Sequence, residues 1–322
     1  MFWTTVDHED LRLRSASHRT LNLIHSVLLL AGMAVLAWFI LSAILGPGWT
    51  LVIIAGSVAG LVLSPGIPRR YLLQAYGARR LSGRDFPEGT ALLSTLSRRA
   101  GLPRVPELYY IPSQLPNAFA MGSPEESVIC VSDGLLRLLT RRELAGVLAH
   151  EVAHVANRDL WIMGLADVMS RAVSLASWIG QMILLLNLPL ILAGLAHVPW
   201  QVPLLLIFSP TIMALLQLAL SRTREYDADR GGALLTGDPE GLASALAKLE
   251  RRTGRFWEEM VLPGRRIPEP SLLRTHPPTA ERVRRLHELS VPQRPIPDDA
   301  QVRFVQAERV APPRFGPWGV WR

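Results

Sequence analysis

The sequence predicts a mainly α-helical membrane protein, with four transmembrane helices in two hairpins and a smaller α+β domain built around a short β-hairpin. Three observations predict it. Apolar stretches come in two pairs, within 21–67 and 161–220, and the longer ones can cross a hydrocarbon core of about 30 Å. The chain between and after these pairs is polar, with short strand-like runs and helix-period stretches. Finally, the net charge of +7, from 34 Lys and Arg against 27 Asp and Glu, gathers as arginine at the ends of the apolar stretches. That distribution reads as membrane topology and contact with anionic lipid, and no aromatic-interleaved basic motif points to nucleic acid. Cys130 is the single cysteine, which excludes a disulfide framework and a thiolate metal cluster and fits a reducing compartment.

Residues 1–20 form a polar N-terminal segment holding Arg12, Arg14 and Arg19. The first span covers 21–45, and Gly46-Pro47-Gly48 turns the chain into a second over 49–63, extended towards residue 67. Residues 172–195 and 198–220 carry no charged side chain and form the second hairpin, where Pro203 and Pro210 are expected to kink the last helix. Arg69, Arg70, Arg79 and Arg80 follow the second span and Arg222 and Arg224 the fourth, whereas the loops at 46–48 and 196–201 carry no Lys or Arg. The positive-inside rule then puts both termini and the polar domain on the cytoplasmic side. Asp167 and Arg171, four residues apart near the start of the second hairpin, read either as a pair marking the bilayer boundary or as part of a polar groove for a membrane substrate.

The polar part comes in two pieces. In 68–160 an amphipathic helix over 88–101 ends at Gly101-Leu102-Pro103, and strands are predicted at 107–111, 117–121 and 127–131. Gly122-Ser123-Pro124-Glu125-Glu126 is a turn signal, so the last two strands form a hairpin. Its edge, Asn117-Ala118-Phe119-Ala120, either holds an extended substrate as an added strand or covers the helix that follows. That helix opens on a capping box, Thr140 with Glu143. Leu144, Val147, Leu148, Val152 and Val155 recur at helical spacing, and with neither Pro nor Gly over 147–160 the helix is expected to run unbroken. In the second piece, 221–290, the helix of the fourth span continues to Leu235 and stops at Thr236-Gly237-Asp238-Pro239. A helix over 240–252, a Pro-, Gly- and Arg-rich mobile loop over 253–274, and a last helix after Thr275-His276-Pro277-Pro278-Thr279 follow. Residues 291–322 read as a Pro-rich tail, poorly ordered or laid across the surface.

The capped helix carries His150-Glu151-Val152-Ala153-His154. Histidines four apart project from one face, so both imidazoles can reach a single ion, and Glu151 beside them can serve as general base on a water. The bland alternative is a structural helix with two unconnected histidines. A catalytic zinc needs three protein ligands and an open position. Asp159 is too close along an unbroken helix and Asp167 lies in an apolar stretch, so the better third candidate is Glu225, in Ser221-Arg222-Thr223-Arg224-Glu225-Tyr226-Asp227-Ala228-Asp229. Asp229, one turn on, can then accept a hydrogen bond from a ligating imidazole; the other reading is a solvated charged helix. Two membrane crossings return the chain to the face it left, which makes a site shared by His154 and Glu225 workable. Asn157 lies on the side of His154. His276, at a helix entrance, is either a donor to the oxyanion of a tetrahedral intermediate or structural.

Taken in order, the edge Asn117-Ala118-Phe119-Ala120, the run His150 to His154 with Asn157 and Asp159, the run Ser221 to Asp229 and the run Thr275 to Thr279 resemble the motifs of the HtpX family of membrane zinc metalloproteases, related to the CAAX prenyl endopeptidases. The resemblance implies a zincin-like metalloprotease domain of gluzincin type on the cytoplasmic face of a bacterial or archaeal inner membrane. It implies hydrolysis of peptide bonds in misfolded or damaged membrane proteins, a quality-control role. It further implies one zinc per chain on His150, His154 and Glu225, with Glu151 as general base, Asp229 and Asn157 behind the ligands, and Asn117, Ala118, Phe119 and His276 against substrate. The partners are then protein substrates and the lipid bilayer, with no nucleic acid. Three rivals stand beside this reading. A CAAX-type prenyl-protein endopeptidase carries more spans. An intramembrane protease would bury the metal helix in lipid, against the polar flanks Arg141, Arg142, Asn157, Arg158 and Asp159. A non-catalytic zinc-binding scaffold has no use for Glu151.

Overall fold

The computed structural model describes residues 8–63, 69–260 and 278–289. In chain order the elements are α1 (His8–Leu45), α2 (Pro47–Leu63), α3 (Arg69–Ala75), β1 (Arg79–Arg80), α4 (Pro87–Arg99), β2 (Glu107–Ile111), β3 (Ala118–Ser123), β4 (Glu126–Ser132), α5 (Asp133–Leu138), α6 (Arg141–Ala156), α7 (Asp159–Leu192), α8 (Gln201–Thr236), α9 (Pro239–Met260) and α10 (Thr279–His287). They divide into a membrane unit, Met1–Pro65 with Ile162–Thr223, and a polar unit, Gly66–Trp161 with Arg224–Arg322.

In the membrane unit, three helices among the described residues are long and apolar enough to cross a bilayer: Leu23–Leu45 of α1, α7 and α8. The second expected span is not among them, and the residues after Leu63 towards which it was extended lie outside the described ones. α2 is apolar but has 17 residues, about 26 Å at the rise of an α-helix. α8 has 36 residues, more than a bilayer needs, so the helix carries the chain from an uncharged first half into the charged stretch from Arg222 to Asp229, as the sequence predicted. Met33, Ala37, Ile40 and Leu41 of α1 close on Ala166, Val173 and Ala176 of α7 and Met213 and Leu220 of α8. Leu28, Phe39, Leu186 and Leu215 face outward and exposed, the apolar sleeve that lipid covers.

Pro210 lies inside α8 and has no N–H, so the Leu206 carbonyl four residues earlier lacks its helical donor. Two side chains of α7 replace it: Ser177 Oγ donates to Leu206 O, and Gln181 Nε2 donates to the same oxygen at 3.0 Å. An unsatisfied carbonyl in hydrocarbon costs several kcal/mol, so a proline in this helix needs such partners. Gly180 allows the approach, since a Cβ there would meet Leu206 side-chain atoms at 2.8 Å. Asp167 and Arg171 pair at 2.7 Å on an exposed face.

The polar unit holds a four-stranded sheet in the order β1-β2-β4-β3. The predicted hairpin is present, β3 pairing antiparallel with β4 from Ala118↔Val131 to Ser123↔Glu126. Near the end of β3 Gly122 adopts φ +96, where a side chain would clash with the Glu126 carbonyl. The parallel pairing of β2 with β4 and the short elements α3, β1 and α5 were not foreseen. One sheet face, with Leu108, Ala120, Ile129 and Val131, closes on Leu93 and Leu96 of α4 and Leu148 and Val152 of α6. The other, with Ile111, Val128 and Cys130, packs under Leu73 and Tyr76. Burial on both faces explains the continuous apolar run Val128-Ile129-Cys130-Val131, which does not alternate.

Two expectations are corrected. The helix that carries His150 and His154 does not run to residue 160: α6 stops at Ala156, Arg158 takes φ 56, and α7 starts afresh at Asp159. No glycine marks this break, and a left-handed arginine is uncommon; the ion pairs that Asp159 makes across the fold impose it. Residues 253–260 of the expected loop at 253–274 are helical instead, because α9 continues to Met260. Thr253 and Gly254 weaken a helix without ending it, and no proline follows until Pro263. The remainder of that loop, His276 and the tail from residue 290 lie outside the described residues.

Candidate active site

The site is built on α6. Its capping box forms as predicted: Glu143 N donates to Thr140 Oγ1 and Thr140 N to Glu143 Oε2. Glu143 also receives Ser244 Oγ at 2.6 Å and Lys248 Nζ at 2.8 Å, and Arg142 forks onto Asp238 at 2.5 and 2.7 Å. These contacts fasten the start of α6 to α9 and to the turn before it. Three glycines then set the spacing of the helices. A Cβ at Gly146 would strike Leu242 Cα at 2.8 Å, one at Gly231 would strike Ala153 Cβ at 2.8 Å, and one at Gly232 would lie 3.0 Å from His150 N. Gly146 thus admits α9, and only with Gly231 and Gly232 bare can α8 lie against the turn that carries the histidines.

That approach brings Glu225 to the pair. His150 Nε2 and His154 Nε2 are 3.1 Å apart. Glu225 Oε2 lies 3.6 Å from the first and Oε1 3.6 Å from the second. All three residues are at least largely buried, with ligand atoms within 4.8 Å of one another. Ligands held at about 2.0–2.1 Å around a tetrahedral zinc lie roughly 3.3 Å from each other, so the separations here fit that ion. The tautomers fit as well. His154 Nδ1 is 2.8 Å from Asp159 Oδ2, and His150 Nδ1 is 3.1 Å from Asp229 Oδ1, at an angle short of a good hydrogen bond. Neutral imidazoles with their Nδ1 protons turned to these carboxylates would face each other through both Nε2 lone pairs, an arrangement that a proton or a metal cation between them relieves.

Charge tells the same story. Burial pushes the His154 imidazole down, but the Asp159 and Glu225 carboxylates outweigh it and lift it to about 10. His150 is raised too, burial again opposing and Asp229 and Glu225 prevailing. The pocket thus demands positive charge where the imidazoles meet. Arg282 of α10 supplies part of the balance from behind. It is buried and forks onto Asp229 at 2.7 and 2.6 Å, with Nη1 3.2 Å from Glu225 Oε2. Burial opposes its charge, and Asp229, Glu225 and Glu151 hold it protonated.

Glu151 is buried beside the pair. Burial, and then the charge of Glu151, push the Cys130 thiol up to about 12, so this cysteine stays protonated and offers no thiolate ligand. Asp229 stands behind His150, where the sequence put it. The backbone N–H of Asn157 caps the end of α6 on Ala153 O at 2.9 Å, and Asp159, set aside as a third ligand, stands against the His154 imidazole. β3 is an edge strand of the sheet, and Asn117 just before it exchanges hydrogen bonds with Ser132 through its own backbone, Asn117 N to Ser132 Oγ and Ser132 N to Asn117 O. Ala118 packs with the core on the α6 side of the sheet. The Phe119 side chain is turned to the other face, its ring 5.4 Å from Tyr76, which leaves its backbone, not its ring, for a partner along this edge. Arg282 and the glycines were missed by sequence reasoning. Arg282 sits in a short amphipathic helix among exposed arginines, and nothing in its spacing separates it from them.

Comparison with known proteins agrees with this geometry. The model of peptidase family M48 matches residues 85–290. A protease HtpX homolog of Desulfatibacillum aliphaticivorans is 38% identical over 295 residues, covering 82% of this chain and 89% of the relative. One of Kineococcus radiotolerans is 36% identical, covering 83% and 93%, and one of Pyrococcus furiosus is 37% identical, covering 68% and 79%. Among solved structures, Ste24p of S. mikatae aligns at a TM-score of 0.40 and 17% identity over 84% of this chain and 66% of that one. Matched by the family model over most of its polar unit and by HtpX homologues along most of its length, this integral membrane protein belongs to peptidase family M48, among the HtpX-like members.

Proposed function

We propose that the chain is a zinc-dependent membrane endopeptidase that hydrolyses misfolded or damaged membrane proteins at the cytoplasmic face. The observation that carries this reading is the convergence of His150 Nε2, His154 Nε2 and the Glu225 carboxylate on one point, with a buried glutamate beside it. His150, His154 and Glu225 would hold the ion, leaving the fourth position to water or substrate. When bound, zinc supplies Lewis acidity to the attacking water and the scissile carbonyl. Glu151 takes the water's proton and delivers it to the leaving amine. Asp229 and Asp159 fix the imidazole tautomers. The outer edge of β3 offers backbone groups to an extended peptide, which would join the sheet as a strand. The cytoplasmic placement rests on the arginine distribution, and an even number of crossings has α2, with the residues following it, complete the first hairpin.

The test uses the full chain purified in detergent, with zinc content and casein cleavage measured together. Glu151→Ala should retain one zinc and lose proteolysis, whereas Glu225→Ala should lose zinc. Wild-type cleavage by the first variant, or wild-type zinc content in the second, removes the corresponding assignment.

A further inference from the structure

Asp159 is the first residue of α7, and Arg224 immediately precedes Glu225 in α8. Asp159 Oδ1 accepts Arg224 Nε at 2.6 Å and lies 2.5 Å from Nη2. Its other oxygen, Oδ2, is the one that faces His154 Nδ1 at 2.8 Å. Arg224 Nη1 in turn lies 3.3 Å from Asp227 Oδ2. Asp159 is 2% exposed and Arg224 6%. A buried ion pair is expensive to desolvate and is poor evidence of stabilisation by itself. Its geometry is specific, however: the guanidinium fork occupies one carboxylate oxygen and so fixes the direction of the other.

The position of the pair along the chain adds a second meaning. The chain enters the membrane unit at Ile162 and leaves it after Thr223, so Asp159 and Arg224 stand at the entry and the exit of the whole α7–α8 hairpin. We propose that Asp159 and Arg224 form a positioning pair that makes metal binding conditional on closure of the two ends of this hairpin. With the ends together, Arg224 holds Asp159 against His154. With the ends apart, Asp159 loses its hold, the His154 ring loses its orienting acceptor, and the ion is bound less tightly. A change in the membrane hairpin, such as engagement of a transmembrane substrate, is thereby communicated to the site. This inference rests on the reading of His150, His154 and Glu225 as a zinc site.

Zinc affinity of the full chain in detergent, by competition with a chromophoric chelator, tests it. Asp159→Asn and Arg224→Gln should each weaken zinc binding about 10–100-fold. Loss of a positive charge near a dication would alone tighten binding, so weakening by Arg224→Gln reports positioning. The double variant should bind no more weakly than Asp159→Asn, because the effect of Arg224 on His154 passes through Asp159. Arg142→Gln, which breaks the ion pair with Asp238 at the far end of α6, should keep wild-type affinity. Wild-type or tighter binding by Arg224→Gln, losses that multiply in the double variant, or an equal loss in Arg142→Gln overturns the proposal. If Arg224→Gln yields no folded protein, Arg224→Lys, which keeps the charge without the fork, should show a smaller loss; unchanged affinity there overturns it as well. The zinc reading itself fails differently: a wild-type chain with no stoichiometric zinc, or a His154→Ala variant that retains it, removes the site and not merely the pair.

Discussion

Replacing Arg282 with methionine should strand two carboxylates. The side chain is 5% exposed, makes two charge-assisted hydrogen bonds to Asp229 at 2.7 and 2.6 Å, and approaches Glu225 Oε2 at 3.2 Å. Charge-assisted bonds contribute about 1.5–3 kcal/mol each, so the two to Asp229 alone correspond to about 3–6 kcal/mol. Asp229 keeps its contact with His150, which holds the net cost near the 3–5 kcal/mol typical of a broken buried ion pair. Methionine fills a comparable volume, so a cavity adds little. For a polar unit of this size the loss corresponds to a fall in melting temperature on the order of 6–20 °C. Thermal unfolding in detergent with excess chelator reads the effect without the metal's contribution. Adding Asp229→Asn should recover part of it, since the stranded charge is then gone. A chelated Arg282→Met protein that melts within a degree of wild type, or an Asp229→Asn background that deepens the loss, would refute the role given to this arginine.

Gly231→Val should push α8 off α6, costing about 1–3 kcal/mol of overpacking and displacing Glu225 from the histidines; wild-type zinc content together with wild-type melting would rule this out. In the membrane unit, Ser177→Ala with Gln181→Leu removes both donors to the Leu206 carbonyl. Such interhelical bonds average about 0.6 kcal/mol, with a maximum near 1.7, so unfolding in detergent should shift by up to about 3 kcal/mol, and an unchanged midpoint would show that another donor takes their place. Pro210→Ala in that double variant restores the helical N–H and should return most of the lost stability; no recovery would break the link between the proline and its partners.

How much was legible depended on the range of the interaction. The capping box at Thr140, the hairpin about Gly122, the stop of α8 at Thr236 and the His150–His154 pair all rest on residues within a turn of each other, where spacing dictates geometry. Glu225 was within reach because a second local pattern, Glu225 with Asp229, echoed the first, and because an even number of expected crossings made a shared site workable. The break at Arg158 was not legible. No residue there demands it, and it follows from pairing Asp159 with His154 and with Arg224, which is 65 positions away. An unbroken helix also hid the approach of Asp159 to His154 Nδ1.

By itself, then, the sequence determined the apolar helices, the helical turn that carries His150 and His154, and Glu225 as the candidate to join them, because helical period, capping and charge bias are properties of neighbouring residues. Only the tertiary structure decided which side chains stand behind the two histidines. Asp159, Arg224 and Arg282 acquire their roles by being buried together, and the cost of burying a charge unpaired, not any local pattern, selects their partners.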